Sequence, residues 1–99
     1  MATITWTNQA EFWLKEIFDY IALDNPIAAA NVINDIYEKA QLLEHNPQLG
    51  YQYNHESGLD IRILLYGHYR ITYLIKNNVE IEILGVFHGA LDIEKYLVS

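Results

Sequence analysis

The stretch Tyr69-Arg-Ile-Thr-Tyr-Leu-Ile75 decides how this chain is read. Tyr69, Ile71, Tyr73 and Ile75 alternate with Arg70, Thr72 and Leu74, the period-two pattern of a strand with one apolar face. A similar run, residues 60–66, precedes it, and another, residues 79–88, follows. The connections are two residues each, Gly67-His68 and Asn77-Asn78, and both Gly and Asn tolerate the positive φ of primed hairpin turns. The last 40 residues therefore read as a three-stranded antiparallel meander.

Alternation also divides the faces of that meander. Ile61, Ile63 and Leu65 are expected opposite Arg62, Leu64 and Tyr66 on the first strand. On the last, Val79, Ile81, Ile83 and Phe87 are expected opposite Glu80, Glu82, Leu84, Val86 and His88. The more apolar side must cover a second layer. The other side carries Arg62, Arg70, Thr72 and Glu82 among Leu64, Leu74, Leu84 and Val86, too apolar to be bare and too charged to be core. Its cover is either residues 90–98, with Ile93, Tyr96 and Leu97 at helical spacing, or a partner.

Moving N-terminally, residues 48–59 read as a loop, with Tyr51 and Tyr53 in it. Before that come two amphipathic helices. Phe12, Trp13, Ile17, Tyr20 and Ile21 form the apolar stripe of the first, capped by Thr7 or Asn8, and Asn8-Gln-Ala-Glu11 has capping-box spacing. Asn25-Pro26 starts the second, since proline suits the first helical position. Its stripe is Ala28, Ala29, Val32, Ile33, Ile36, Tyr37, Ala40 and Leu43, and Pro47 lies just past its end. A break this short implies an antiparallel helical hairpin. Residues 3–6 add an N-terminal strand. The order β-α-α-β-β-β with a short C-terminal helix makes one α+β domain over residues 1–99: a helical hairpin packed on a small antiparallel sheet.

Composition narrows the chemistry. The chain has no cysteine, which removes disulfides and thiolate ligands or nucleophiles. His45, His55 and His68 are scattered over loops and turns, so no metal and no cofactor is expected. No stretch approaches the roughly 18 apolar residues of a membrane helix, and the N-terminus lacks a signal-peptide pattern, which points to a cytoplasmic protein without a membrane partner. Thirteen acids against six basic residues give a net charge of −7. Binding to DNA or RNA through phosphates needs a basic surface, so direct DNA binding by the chain alone is not expected.

Arg62, Arg70, His88 and Tyr96 are the candidates for chemistry. Metal-independent RNA cleavage needs a base, an acid and cations for the phosphorane-like charge. His88 suits acid or base, an arginine can hold a phosphate bidentately, and Tyr96 offers a second proton carrier. Each also has an ordinary role open to it. His88 ends a strand beside a glycine, Arg62 and Arg70 can pair with Glu82 or Asp92, and Tyr96 can pack with Ile93 and Leu97.

Seven short motifs occur in order along nearly the whole chain: Trp6-Thr-x-x-Ala10, Ile17-Phe-Asp-Tyr-Ile-Ala22, Asp24-Asn-Pro-x-Ala-Ala29, Pro47-x-Leu-Gly50, Gly58-Leu-x-x-Arg62, Tyr69-Arg-Ile-x-Tyr73 and Val86-x-His-Gly-Ala90. This series resembles the RelE/ParE superfamily of type II toxins, and within it the ParE-like plasmid-stabilisation branch. The resemblance implies a toxin silenced by a cognate antitoxin. ParE-like members act on DNA gyrase, whereas RelE-like members cleave mRNA in the ribosome with basic residues and a tyrosine or histidine. Arg70 falls in the Tyr-Arg strand motif shared by both branches. Many relatives carry arginine where this chain has Leu91, which with the acidic charge weighs against the nuclease. Three readings follow: a gyrase inhibitor, a ribosome-dependent nuclease using Arg62, Arg70, His88 and Tyr96, or an inactive relative that only binds antitoxin. The expected antitoxin-binding face is Arg62, Leu64, Arg70, Leu74 and Leu84, suited to an amphipathic, acidic segment.

Overall fold

The computed structural model describes residues 1–54, 56–77 and 79–89. Five strands form one mixed sheet in the order β1-β5-β4-β3-β2, with β1 at Thr3–Trp6, β2 at Tyr51–Tyr53, β3 at Ile61–Tyr66, β4 at Tyr69–Asn77 and β5 at Glu80–His88. Two helices, α1 (Asn8–Ala22) and α2 (Pro26–Gln41), lie on one face, and a single 3-10 turn, Leu42–Glu44, follows α2. This is the α+β layering expected from the sequence. The β3-β4-β5 meander is antiparallel as read, whereas β1 runs parallel to β5.

The core explains why these elements form. Ala10 and Leu14 of α1, Ile36 and Ala40 of α2, and Leu43 pack on Leu64, Ile71, Tyr73, Ile81, Ile83 and Val86 of the sheet. Burying one such Leu, Ile or Val side chain stabilises by about 1.5–3 kcal/mol. Thr7 caps α1, its Oγ1 accepting from Ala10 N at 3.1 Å and donating to the Ile83 carbonyl at 2.9 Å. One side chain thus starts the helix and ties it to β5. The capping box at Asn8–Glu11 does not form, because the cap sits one residue earlier. Glu11 instead accepts from the Tyr37 hydroxyl, at 3.1 Å for the shorter contact. Asn25 caps α2 as expected, accepting from Ala28 N at 3.0 Å.

Further readings are corrected. The apolar side of α1 is set by Ala10, Leu14 and Ile17, so Phe12 and Tyr20 face outward, at 50% and 77% exposure. The loop at residues 48–59 contains β2, whose Tyr51, Gln52 and Tyr53 pair antiparallel with Ile63, Arg62 and Ile61. At the second hairpin Asn77 belongs to β4 rather than to the turn, because it pairs with Glu80, and its side chain accepts from Val79 N at 2.8 Å; Asn78 lies outside the described residues. The first turn is as read, with Gly67 at φ 56°.

Strand β3 is reversed relative to its expected face. Cross-strand partners share a face, and Leu64 pairs with Ile71 while Arg62 pairs with Tyr73. Leu64 therefore faces the helices, and Ile61 and Ile63 join Phe87 in a second cluster on the opposite side of the sheet. Tyr69, Ile71, Tyr73 and Ile75 face the helices as expected. On β5 the register slips at Leu84, since Thr72 pairs with Gly85 and Tyr73 with Ile83. This bulge turns Val86 to the helices and Phe87 away, the reverse of simple alternation. The expected helix at residues 90–98, with Tyr96, lies outside the described residues.

Candidate functional site

Arg62 is the first candidate to acquire a specific role. Its Nε lies 3.1 Å from Asp60 Oδ1, and its Nη1 donates to the Gly50 carbonyl at 3.1 Å. The same glycine donates its N–H to the Tyr73 hydroxyl at 2.9 Å, and that hydroxyl donates to the Pro47 carbonyl at 2.7 Å. A Cβ at Gly50 would stand 2.8 Å from the Tyr73 ring and 2.7 Å from the Ile63 carbonyl. Only glycine fits there. Arg62, Tyr73 and Gly50 thus form a knot that fastens the segment between the helices and β2.

Arg70 occupies the other face of the sheet, opposite Leu65 and Phe87, and its Nη2 donates to the Gly89 carbonyl at 2.9 Å. It engages neither Glu82, which Lys76 meets at 3.7 Å, nor any other acid among the described residues. His88 is exposed at the end of β5, opposite Tyr69, with its ring 6.1 Å from that of His68. Arg62 and Arg70 are thus on opposite faces and three residues apart along the paired strands, about 10 Å of sheet. The structure does not bring both arginines to one phosphate. Tyr96, the fourth candidate, is outside the described residues.

The expected docking set divides the same way. Arg70, Leu74 and Leu84 share the face away from the helices, where Leu74 and Leu84 are half-buried around Ile61, Ile63 and Phe87. Arg62 and Leu64 belong to the helical face, and Leu64 is in the core. A single face carrying both arginines does not exist.

A different feature was missed in the sequence. Between α1 and the ends of β4 and β5 lies an apolar groove of about 420 Å³, lined by Trp13, Glu16, Ile17, Tyr20, Tyr69, Val86 and His88. Strand β1 pairs only with residues 80–83 of β5. Past that point Trp13 comes against the unpaired edge, its ring 5.3 Å from that of Phe87. The signal was present in the surplus of aromatic residues on α1. Ala10 and Leu14 already fill its core-facing side, which leaves Trp13 and Tyr20 to line the groove. Among the described residues no group of three metal-ligating side chains comes together, and no helix is long and apolar enough to cross a membrane.

Comparison with known proteins agrees with this architecture. The family of ParE toxins of type II toxin–antitoxin systems (parDE) matches residues 4–93. A chain from the chromosomal ParDE system of P. aeruginosa is similar over 89% of this chain and 96% of its own, with a TM-score of 0.73 and 26% identity. A chain of the RelBE2 toxin–antitoxin complex of Mycobacterium tuberculosis is similar over 88% and 96%, with a TM-score of 0.62. Its 22% identity speaks to fold alone. No curated protein matches the sequence. With the family match running from β1 through the meander and beyond it, the chain belongs to the ParE toxin family of type II toxin–antitoxin systems.

Proposed function

We propose that this chain inhibits growth by binding a protein target, DNA gyrase, rather than by cutting RNA, and that a cognate antitoxin silences it. The observation that carries this reading is the separation of the two arginines. Transition-state stabilisation at a phosphate requires its cations at one point. Arg62 is committed to Asp60 and Gly50, and Arg70 emerges on the opposite face bound to the Gly89 carbonyl. The net charge of −7 argues in the same direction, because a nuclease or DNA binder gains affinity from a basic surface. A protein target needs shape and apolar contact, which the groove beside α1 offers. Antitoxin contact on the sheet face of Arg70, Leu74 and Leu84 is part of the proposal.

Induction of the chain in cells tests it, alone and together with the product of the adjacent reading frame. Growth arrest with gyrase-linked DNA breaks, relieved by the neighbour, is the expected result. Cleaved mRNA with intact DNA would overturn it in favour of a RelE-like nuclease. Absence of any growth effect would leave only an antitoxin-binding relative.

A further inference from the structure

Among the described residues that line the groove beside α1 are one carboxylate, Glu16, and one histidine, His88. Glu16 forms no hydrogen bond or salt bridge with another described residue, and it stands one helical turn before Tyr20, which is 77% exposed. Residues at this spacing share a helix face. Trp13, Tyr69 and Val86 supply the rest of a predominantly apolar wall.

Lys15 is the one described cation that acts on this carboxylate, and only weakly. Lys15, its chain neighbour, is held by Asp19 at 2.7 Å. Lys39 lines a separate hollow on α2 with Asp35 and Glu38. Arg62 and Lys76 are engaged by Asp60 and by Glu80 and Glu82, and Arg70 is on the far side of the sheet. The charge of the surroundings has the same sign. Residues 8–44 contain seven acids against two lysines, which is five of the chain's seven net negative charges.

We propose that the segment occupying this groove is a basic amphipathic one. Its apolar side chains lie on Trp13 and Val86, and a lysine or arginine is placed between the Glu16 carboxylate and the exposed ring of Tyr20. Such a cation gains both an ion pair and a cation–π contact. An acidic segment would instead bring like charge against Glu16. An acidic antitoxin segment suits the sheet face of Arg70, and the groove, on a different surface, takes a partner of the opposite charge. The proposal rests on the reading that this groove meets the chain's protein target, and it names the chemistry of the target segment that fills it.

The test uses two fluorescently labelled amphipathic peptides that share one leucine stripe, with lysine in one and glutamate in the other on the polar side. Binding is read by anisotropy against the full chain and against two surface variants, Glu16→Lys and Tyr20→Ala. The lysine peptide is expected to bind at least about tenfold more tightly, with the preference shrinking as salt screens the pair. Both variants should weaken it about three-fold or more, whereas Glu16→Lys should narrow the gap to the glutamate peptide. Equal binding of the two peptides, preference for the glutamate peptide, or no binding of either would overturn the proposal. So would lysine-peptide binding that ignores both variants. Peptide affinity is read without reference to toxicity, so loss of the growth phenotype would refute the toxin reading while leaving the groove's charge preference separately measured.

Discussion

Tyr73 places two hydrogen bonds on one oxygen, accepting from Gly50 N at 2.9 Å and donating to the Pro47 carbonyl at 2.7 Å. Tyr73→Phe leaves a buried amide and a carbonyl unpaired, a cost of about 1–3 kcal/mol in denaturant unfolding at neutral pH. Burial raises the Tyr73 hydroxyl above its ordinary 10.0, against the smaller lowering effects of the Gly50 amide and Arg62. With the folded-state value the higher, the neutral phenol contributes stability that is complete below the unfolded value, 10.0, and lost as pH rises through the folded one. Unfolding curves collected on either side of that value should show the native chain losing stability more steeply in alkali than the phenylalanine variant. His88 is judged by magnitude. A general acid or base contributes about 10²–10⁴-fold, so under a binding mechanism His88→Ala should lower the toxic effect by less than about tenfold. A drop beyond a hundredfold in a folded variant would restore the nuclease. At this scale the sequence singled out Arg62 without showing the partners that hold it. Arg62 looked like a free cation because its partners, Asp60 two residues before it and Gly50 across the β2-β3 pair, come together only once β2 exists.

Thr7 joins two elements, since its hydroxyl caps α1 and reaches the Ile83 carbonyl on β5. Thr7→Ala should cost about 1–2 kcal/mol, the upper part of the capping range, because a contact to the sheet goes with the cap. Thr7→Ser keeps both bonds and should recover most of it. Equal losses in the two variants, measured by thermal or chemical unfolding, would show that the hydroxyl does neither job. The elements themselves were legible. Period-two alternation located β3, β4 and β5, and Asn25-Pro26 located the start of α2. Faces were harder. Both sides of β3 are apolar, with Ile61 and Ile63 on one and Leu64 and Tyr66 on the other, so alternation has no contrast to read. On β5 the bulge at Leu84 exchanges Val86 and Phe87, and a bulge has no marker in alternation alone. On α1 the large aromatics outweighed Ala10 and Leu14 in defining a stripe, yet small residues face the sheet where the layers pack closely. That error concealed the groove.

For the whole molecule, the layering positions two distinct surfaces on a ParE-family fold. The groove between α1 and the sheet ends is acidic and aromatic, and the face away from the helices carries Arg70 among half-buried leucines. On the proposed reading their separation suits binding rather than catalysis, since Arg62 and Arg70 lie on opposite faces of the sheet. Net charge and the motif series were readable from the start: the motifs pointed to the RelE/ParE superfamily, and the charge weighed against the nuclease. The location of its surfaces was not, because it depends on which way each strand turns. The central claim meets its most direct test in DNA supercoiling by purified gyrase, titrated with the purified chain. The account predicts a progressive loss of supercoiled product as the chain approaches stoichiometry with the enzyme. Unimpaired supercoiling at a large molar excess of folded chain would contradict it.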